Sequence, residues 1–398
     1  MVHFFIMSLF LQLATLLVII LLAAKLAGYI AIRLGQPSVL GELVVGILLG
    51  PSLLNLLHLP AFNEIVMQET LKMIGQIGVL LLMFIAGLEL HFDELRRNMH
   101  VSTLAGIFGA VLSILFGWGT GLLFGMSQSQ AIFLGLILGA SSVSISAQTL
   151  MELKQLKSRV GLSLLGAAVF DDVLVVLLLS LFFAITTGKS SAQGFFLVFI
   201  RMALFFAAAI MFGLWLLPFI IRKVRALPIS QGVLTLAVIT LLCYALAAEL
   251  IGGMAAITGA FVAGLMFARS PEKEALHPRI SALAYGFFVP VFFVDIGLSL
   301  DVTTLKSNLG LAVVVILAAI TGKLFGSGLG GRLSGFTWRE SGQLGMGMVP
   351  RAEVSLIAAS LGMSAGFVSQ STLSAVIGMI LVCTLITPPI LRFLFHRQ

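Results

Sequence analysis

Apolar segments of about 20 residues recur along the whole chain, and this pattern restricts the fold more than any other feature. About 20 residues are needed for a helix to cross the hydrocarbon of a membrane, where the backbone must satisfy its own hydrogen bonds. Only 10% of the 398 residues are charged, against about 25% in soluble domains. The pattern predicts an all-α polytopic membrane protein with no soluble domain longer than a loop.

Thirteen apolar segments are predicted to be transmembrane helices and are numbered as spans 1 to 13. They cover approximately residues 4–32, 38–57, 71–90, 101–125, 129–151, 160–187, 194–221, 229–250, 254–269, 281–300, 309–331, 341–362 and 371–394. Span 1 has no basic residues before it and no clear cleavage site, so it is predicted to be retained and not removed as a signal peptide. Cys243 and Cys383 lie in apolar segments, so neither a disulfide nor a metal site is expected at these cysteines. No cofactor is expected for the chain.

Basic residues are concentrated on one side of the predicted spans. Sixteen of the 23 lysines and arginines lie in connections after odd-numbered spans or at the C-terminus, and four lie on the opposite side. Because cytoplasmic loops carry the excess of basic residues, this distribution predicts an external N-terminus and a cytoplasmic C-terminus. The net charge of +7 is therefore interpreted as a topology signal, and nucleic acid is not expected as a partner.

The two halves of the chain show a weak sequence repeat. GELVVG at 41–46 matches GAFVAG at 259–264, and LMFIAGLEL at 82–90 matches FFVDIGLSL at 292–300. Spans 1–6 and 8–13 are therefore predicted to be two copies joined by span 7. An odd number of spans separates them, so their orientations in the membrane are opposite, which is typical of secondary transporters.

Asp171 and Asp172 lie side by side in span 6 among residues suited to hydrocarbon. A charged carboxylate at the centre of a bilayer costs at least about 2.5–3.5 kcal/mol, and such residues usually serve ion or proton movement. Adjacent helical positions point about 100° apart, so one carboxylate can face a partner helix while the other faces a cavity. The pair predicts a cation- and proton-binding site. Lys323 in span 11 is predicted to pair with one of the two aspartates.

Gly, Ser and Pro residues in the middle of spans 5 and 12 predict that both helices are interrupted. The two segments are GASSVSIS at 139–146 and GMVPRAE at 347–353. An unwound stretch frees carbonyls for a cation and directs half-helix dipoles inward, whereas the alternative for span 5 is close packing through small residues. The side chains expected to act there, as neutral ligands or as charge compensation, are Ser141, Ser142, Ser144, Arg351 and Glu353.

Four further acidic residues are weaker candidates: Glu42, Glu89, Glu249 and Asp295. Glu89 and Glu249 lie near span ends, where a solvated carboxylate needs no explanation, and the other two lie deeper. The glycine-rich segment 326–331 matches G-x-G-x-x-G. It has no preceding strand, so close helix packing is the better interpretation than a dinucleotide site.

Several segments together resemble the monovalent cation:proton antiporter-2 family over nearly the whole chain. They are PSVLGELVVGILLGPSLL at 37–54, LMFIAGLEL, FDDV at 170–173, the helix of Lys323 and MVPRAEVSLI at 348–357. The Asp-Asp pair looks most like the electrogenic NapA-type sodium/proton antiporters of that family.

The resemblance implies a NapA/NhaA-like fold with thirteen helices, inverted six-helix repeats and two broken crossing helices. It implies a homodimer in which residues 1–100 and 229–308 form a dimerisation panel, 101–193 and 309–398 form the core ion-translocation domain, and 194–228 form a linker helix. It also implies roles for single residues. Asp172 would bind the cation, Asp171 would pair with Lys323, and Glu353 would match the acidic position after the break in span 12.

The sequence therefore predicts a transporter and not an enzyme. The expected function is electrogenic, elevator-like Na⁺/H⁺ antiport in the lipid of a bacterial inner membrane, serving pH homeostasis. Na⁺ and protons would compete for Asp172. A K⁺/H⁺ or Li⁺ exchanger has the same sequence features, and a cation channel or a sodium-coupled symporter are the alternatives from other classes. The repeat and Lys323 argue against a channel, because a fixed positive charge obstructs a cation pore.

Overall fold

The computed structural model describes residues 8–89, 98–187, 192–299, 309–351 and 353–396, and every regular element in these ranges is a helix. The α-helices are α1 (Leu9–Arg33), α2 (Ser38–Leu49), α3 (Glu64–Glu89), α4 (Met99–Leu123), α5 (Gln128–Gly139), α6 (Val143–Glu152), α7 (Arg159–Thr187), α8 (Ala192–Met211), α9 (Leu217–Ala226), α10 (Gly232–Ala247), α11 (Ala256–Phe267), α12 (Lys273–Leu283), α13 (Val289–Leu298), α14 (Leu309–Leu333), α15 (Trp338–Gly347), α16 (Glu353–Ser364) and α17 (Gln370–His396).

Ten helical segments in the described part of the chain are long and apolar enough to cross a membrane. Three shorter apolar helices accompany them: α2, α11 and Val354–Met363 within α16. Many large apolar side chains on the outside of the molecule are exposed, among them Phe10, Trp215 and Phe325. An apolar exterior of this kind suits contact with lipid. The protein is therefore an all-helical polytopic membrane protein, as its composition predicts.

Span 2 is shorter than its apolar residues predict. The expected range was 38–57, but α2 ends at Leu49 and is followed by turns and a 3₁₀ turn at Leu56–His58. Gly50 is extended and precedes Pro51, and a residue before proline is driven away from the helical conformation. A helix of 12 residues is only about 18 Å long, which is less than the roughly 30 Å thickness of bilayer hydrocarbon.

Two helical segments continue past a proline through a wider, π-helical turn. Phe212–Leu216 precedes Pro218, and Ala284–Phe288 precedes Pro290. Proline has no N–H and its ring clashes with the carbonyl four residues earlier, so a wider turn keeps the helix continuous. Span 10 also begins earlier than its predicted start at residue 281, because the polar sequence from Lys273 extends the helix beyond its apolar part.

The helices pack as two groups. Helices α1–α3 and α10–α13 contact one another and are called the panel, and α4–α7 and α14–α17 are called the core. Helix α8 contacts α7 of the core and the π-helical turn Ala248–Gly252 that follows α10. A separate apolar cluster inside the panel joins α1, α2, α3 and α13, and it includes Leu16, Leu71 and Val294.

Glycines bring four panel helices into backbone contact as two matching pairs. Gly46 of α2 lies against Gly297 of α13, where a Cβ at Gly297 would be 2.6 Å from the Cα of Gly46. Gly87 of α3 and Gly264 of α11 face each other's helices in the same way, since a Cβ on either would meet a backbone carbonyl of the other helix. The first pair joins spans 2 and 10, and the second joins spans 3 and 9.

In the core, α14 packs closely against α4 through a glycine on every turn. These glycines are Gly322, Gly326 and Gly330, and a Cβ at Gly326 would lie 2.9 Å from the Cα of Gly109. The glycine-rich sequence of span 11 is therefore a helix-packing surface, as predicted. The other side of α4 contacts α7, where a Cβ at Gly106 would lie 2.9 Å from the Ala167 carbonyl oxygen. This packing brings α7 and α14 close enough for their charged side chains to meet.

Candidate functional site

Asp171 and Lys323 form an ion pair deep in the core. Nζ of Lys323 on α14 lies 2.5 Å from Oδ1 of Asp171 on α7, and both side chains are fully buried. Moving two charges out of water is unfavourable, and only a close, well-oriented contact offsets this desolvation. The structure thus brings together the lysine and one of the two aspartates that the sequence predicts as partners.

Asp172 lines a different surface of α7, at the boundary between core and panel. Its side chain faces a small cavity of about 10 Å³, which has room for about one water-sized particle. Most of the lining is apolar and includes Met83, Val169 and Phe261. Thr258 of the panel is the other polar residue of this lining, and its Oγ1 donates a hydrogen bond of 3.2 Å to Oδ2 of Asp172. The two adjacent carboxylates therefore have separate surroundings.

Spans 5 and 12 are both interrupted, and their breaks are joined through the backbone. In span 5, α5 ends at Gly139 and α6 begins at Val143, whereas in span 12, α15 ends at Gly347 and α16 begins at Glu353. The N–H of Ser142 donates to the Pro350 carbonyl at 2.8 Å. Pro350 disfavours helix at the residue before it, which contributes to the break. The side chain of Glu353 lies outside the described residues.

In each interrupted span the first half-helix, α5 or α15, begins with a capping box. Ser127 and Gln130 bond each other's backbone N–H groups at the start of α5, and Thr337 and Glu340 do the same at the start of α15. Such reciprocal bonds satisfy two of the N–H groups that a helix start leaves without partners. The sequence therefore fixes the outer end of each half-helix, and the inner ends of α5 and α15 lie at the breaks.

Arg351 is fully buried between the inner ends of the half-helices. Its Nη2 donates to the Leu138 carbonyl at 2.9 Å, and its Nη1 donates to the Met348 carbonyl at 3.2 Å and to Ser141 Oγ at 3.1 Å. The C-terminal end of a helix carries partial negative charge, which a cation stabilises. Arg351 bridges the ends of α5 and α15, and its charge lies beside carbonyls at the end of each helix.

The three serines predicted as neutral ligands form hydrogen bonds within the crossing. Ser141 accepts from Arg351 through its hydroxyl oxygen, and the hydroxyl oxygens of Ser142 and Ser144 lie 3.0 Å apart. Among the described residues that line the cavity at Asp172, none is one of these serines. Their hydroxyls contribute to the geometry of the crossing in this conformation.

A second polar contact joins core and panel at the first turn of α2. Glu152, the last residue of α6, accepts hydrogen bonds from the backbone N–H and the hydroxyl of Ser38, both at 2.6 Å. Gln148, one turn earlier, also donates to Glu152 at 2.8 Å. A carboxylate at a helix N-terminus satisfies free N–H groups and interacts favourably with the helix dipole.

Comparison with known proteins identifies the family. The model of the family "Sodium/hydrogen exchanger, transmembrane" matches residues 17–397. The chain belongs to this family. It is 39% identical over 380 residues to the Na(+)/H(+)-K(+) antiporter GerN of Bacillus cereus, with 96% of this chain and 95% of GerN covered. It is 32% identical over 378 residues to a Na(+)/H(+) antiporter of Enterococcus hirae, with 95% and 96% covered.

The exchanger also shares its fold with a solved structure. The sodium proton antiporter MjNhaP1 of Methanocaldococcus jannaschii superposes with a TM-score of 0.68 over 97% of each chain, at 18% sequence identity. The likeness at this identity concerns the fold alone. It supports the all-helical membrane architecture described above.

The weaker acidic candidates of the exchanger have varied surroundings. Glu42 on α2 is buried, Asp295 on α13 is partly buried, and Glu249 is exposed. Glu89 lies 3.2 Å from a ring nitrogen of His277. All four lie on panel helices or on the π-helical turn after α10, away from the ion pair in the core.

Sequence reasoning missed two polar contacts between core and panel: Thr258 with Asp172, and Ser38 with Glu152. A threonine in an apolar segment gives no signal of its own, because threonine hydroxyls in helices usually bond to a carbonyl of their own helix. Ser38 carried a usable signal, since it begins α2 directly after Pro37. Its partner, Glu152 at the end of span 5, was not predictable from spacing.

Proposed function

We propose that this exchanger is an electrogenic Na⁺/H⁺ antiporter of NapA type that works by alternating access. The observation that carries the proposal is the position of Asp172. Its carboxylate lines a cavity for one small particle at the boundary between core and panel, and it lies next in the chain to a buried ion pair. A carboxylate binds a small cation through hard oxygen ligands and also binds a proton, so both cargoes can compete for one group.

Exchange follows from the free energy of moving an unloaded site. Asp172 and Asp171 together carry two negative charges against the single positive charge of Lys323. A net charge is strongly disfavoured in hydrocarbon, so the core moves poorly when Asp172 is bare. Binding of either Na⁺ or protons lowers the net negative charge of the core and permits movement. The two cargoes therefore cross in alternate directions and not independently.

The ion pair supplies the electrogenic step. When Na⁺ replaces the proton on Asp172, a metal cation arrives close to the ammonium of Lys323. Repulsion by this cation, together with the burial of Lys323, favours release of the lysine proton. One Na⁺ is then exchanged for protons from two groups, and net charge moves across the membrane.

The proposed movement is a sliding of the core, with α4–α7 and α14–α17, past a fixed panel. The matching contacts of Gly46 with Gly297 and of Gly87 with Gly264 support two inverted repeats, since equivalent spans of each half pack in equivalent ways. We propose thirteen crossings, with the three shorter helices completing the ten long ones. We further propose a homodimer formed through the panel, in a bacterial inner membrane, with the C-terminus in the cytoplasm.

K⁺ is the second candidate cation. The relative GerN is named a Na(+)/H(+)-K(+) antiporter and is 39% identical over nearly the whole chain. The cavity at Asp172, about 10 Å³, has room for one water-sized particle and so accepts either ion. Na⁺ is the proposed main cargo because it appears in the names of both GerN and the Enterococcus hirae antiporter, and Li⁺ and K⁺ are competitors in the test.

The test is exchange in proteoliposomes with a clamped membrane potential and Na⁺, K⁺ or Li⁺ supplied in turn. Wild-type protein should release protons when Na⁺ is added, and Asp172→Asn should abolish this release. Glu249→Gln is the matched control, because it removes an exposed carboxylate on the π-helical turn after α10, and it should transport normally. Normal antiport by Asp172→Asn would refute the site. Cation flux without counter-moving protons would instead identify a channel.

A further inference from the structure

The hydroxyl of Thr258 bonds outside its own helix. Several other threonines in the described helices donate to a carbonyl four residues earlier in their own helix: Thr120, Thr149, Thr240, Thr321 and Thr387. Thr384 is a further exception, since it donates to the Arg351 carbonyl. Thr258 lies in the first turn of α11, which begins at Ala256, so no helical carbonyl is available four residues earlier. Its hydroxyl donates to Asp172 of the core.

The position of Thr258 is fixed by the panel. A Cβ at Gly264 would meet the Phe84 carbonyl of α3, and a Cβ at Gly259 would meet the Tyr244 carbonyl of α10. Helix α11 is therefore held on two sides by backbone contacts that leave little room for it to shift. The bond from Thr258 to Asp172 joins a group fixed in the panel to a group carried by the core.

A hydroxyl suits each state of the neighbouring carboxylate. It can donate to a carboxylate, as it does to Oδ2 of Asp172, and it can accept from a protonated one. Its oxygen is also a neutral ligand for a small cation. Among the described residues that line the cavity beside Asp172, all except Thr258 are apolar, so this hydroxyl is the neutral side-chain oxygen that the panel offers there.

We propose that Thr258 is a cation ligand that the panel adds to the Asp172 site in one position of the core only. The inference rests on the proposed function, because it requires Asp172 to bind the cation and the core to move. The site then has one more oxygen ligand on one face of the membrane than on the other. Thr258 therefore makes the apparent affinity for Na⁺ different at the two faces.

The experiment compares the apparent KM for Na⁺ at each face, with Na⁺ supplied from one side of oriented proteoliposomes at a time. Thr258→Val keeps the shape and removes the hydroxyl. It should change the ratio of the two KM values about tenfold, by raising KM at one face, which corresponds to about 1.4 kcal/mol. Thr258→Ser restores the hydroxyl and should return the ratio to that of the wild type. Thr240→Val is the matched control, since Thr240 bonds within its own panel helix.

Three results would overturn the inference: equal KM changes at both faces, an unchanged or lowered KM, or no rescue by serine. If the valine variant does not fold, Thr258→Ala tests the same expectation. Asp172→Asn, measured in parallel, separates this inference from the proposed function. Loss of antiport in Asp172→Asn with a symmetric effect of Thr258→Val would reject the role of Thr258 alone.

Discussion

Asp171 and Asp172 are neighbours in the chain, yet their carboxylates face different partners: the buried ammonium of Lys323 for the first, and the hydroxyl of Thr258 for the second. The 100° turn between adjacent helical residues produces this separation. One carboxylate is held by a charge within the core, and the other lies at the surface where core meets panel. The two residues should therefore respond differently to substitution.

Lys323→Gln should destabilise the protein and change its coupling. It leaves Asp171 as an unpaired buried charge, which costs about 3–5 kcal/mol, and it removes the proposed second proton carrier. The measurements are Tm in detergent and transport at several clamped potentials. The double variant Lys323→Gln with Asp171→Asn should recover much of the stability while transport stays electroneutral. Voltage-dependent exchange of normal size in either variant would contradict the carrier role of Lys323.

Glu152→Ala should shift the balance between the two proposed positions of the core relative to the panel. It removes the carboxylate that accepts two 2.6 Å hydrogen bonds from Ser38 across the boundary of core and panel. A shift of about tenfold, or about 1.4 kcal/mol, away from this conformation is expected. Ser38→Ala should have a smaller effect, because its backbone N–H still reaches Glu152.

The shift can be measured as a distance distribution between spin labels. Suitable exposed positions are Leu48 on the panel and Trp338 on the core, with Cys243 and Cys383 replaced so that only the labels react. Glu249→Ala serves as the control, since it removes an exposed panel carboxylate. A distribution in Glu152→Ala that matches the control would mean that the contact does not bias the conformation.

Two glycines on the same helix should differ sharply when replaced by alanine. A Cβ at Gly117 of α4 would lie 2.6 Å from the Cα of Gly135 on α5, whereas a Cβ at Gly119 would meet nothing within 4 Å. Gly117→Ala should lower stability by about 1–3 kcal/mol through overpacking. Gly119→Ala should be neutral or stabilising, because alanine is the better helix former. Thermal unfolding in one detergent compares them, and equal Tm values would count against the close α4–α5 contact.

Arg351→Lys should weaken the crossing although the charge is kept. The two terminal nitrogens of the guanidinium reach carbonyls at the ends of both α5 and α15, and a lysine ammonium cannot span them in the same way. Loss of one charge-assisted hydrogen bond costs about 1.5–3 kcal/mol. Tm should fall, and Na⁺ transport should fall with it. Arg351→Gln should be worse, since it also removes the charge. A lysine variant with the Tm of the wild type would argue that charge alone matters.

The features that were predictable from sequence are those whose signal is visible within one segment of the chain. A charge in an apolar helix needs a partner, which predicted that Lys323 contacts one of the two aspartates, and the family resemblance implied Asp171. Gly, Ser and Pro in mid-span predicted the breaks before Val143 and Glu353. The lengths of the helices were less well predicted. Gly50 and Pro51 end α2, although the apolar sequence continues beyond them.

Contacts between helices of different groups could not be predicted in this way. Whether Thr258 bonds within its own helix or reaches Asp172 depends on where α11 begins and on which face of α7 meets it. The bond of Glu152 to Ser38 likewise depends on the packing of α6 against α2. Both follow from the assembly of the whole molecule, and no periodicity in one segment encodes them.

The matching glycine contacts have a consequence for biogenesis. Gly46 on α2 and Gly87 on α3 belong to the first half of the chain, but the helices that cover them, α13 and α11, belong to the second. The ribosome therefore delivers the early helices to the bilayer long before their partners are synthesised. A protein cut within α8 would assemble its panel only when both fragments are inserted into the same membrane.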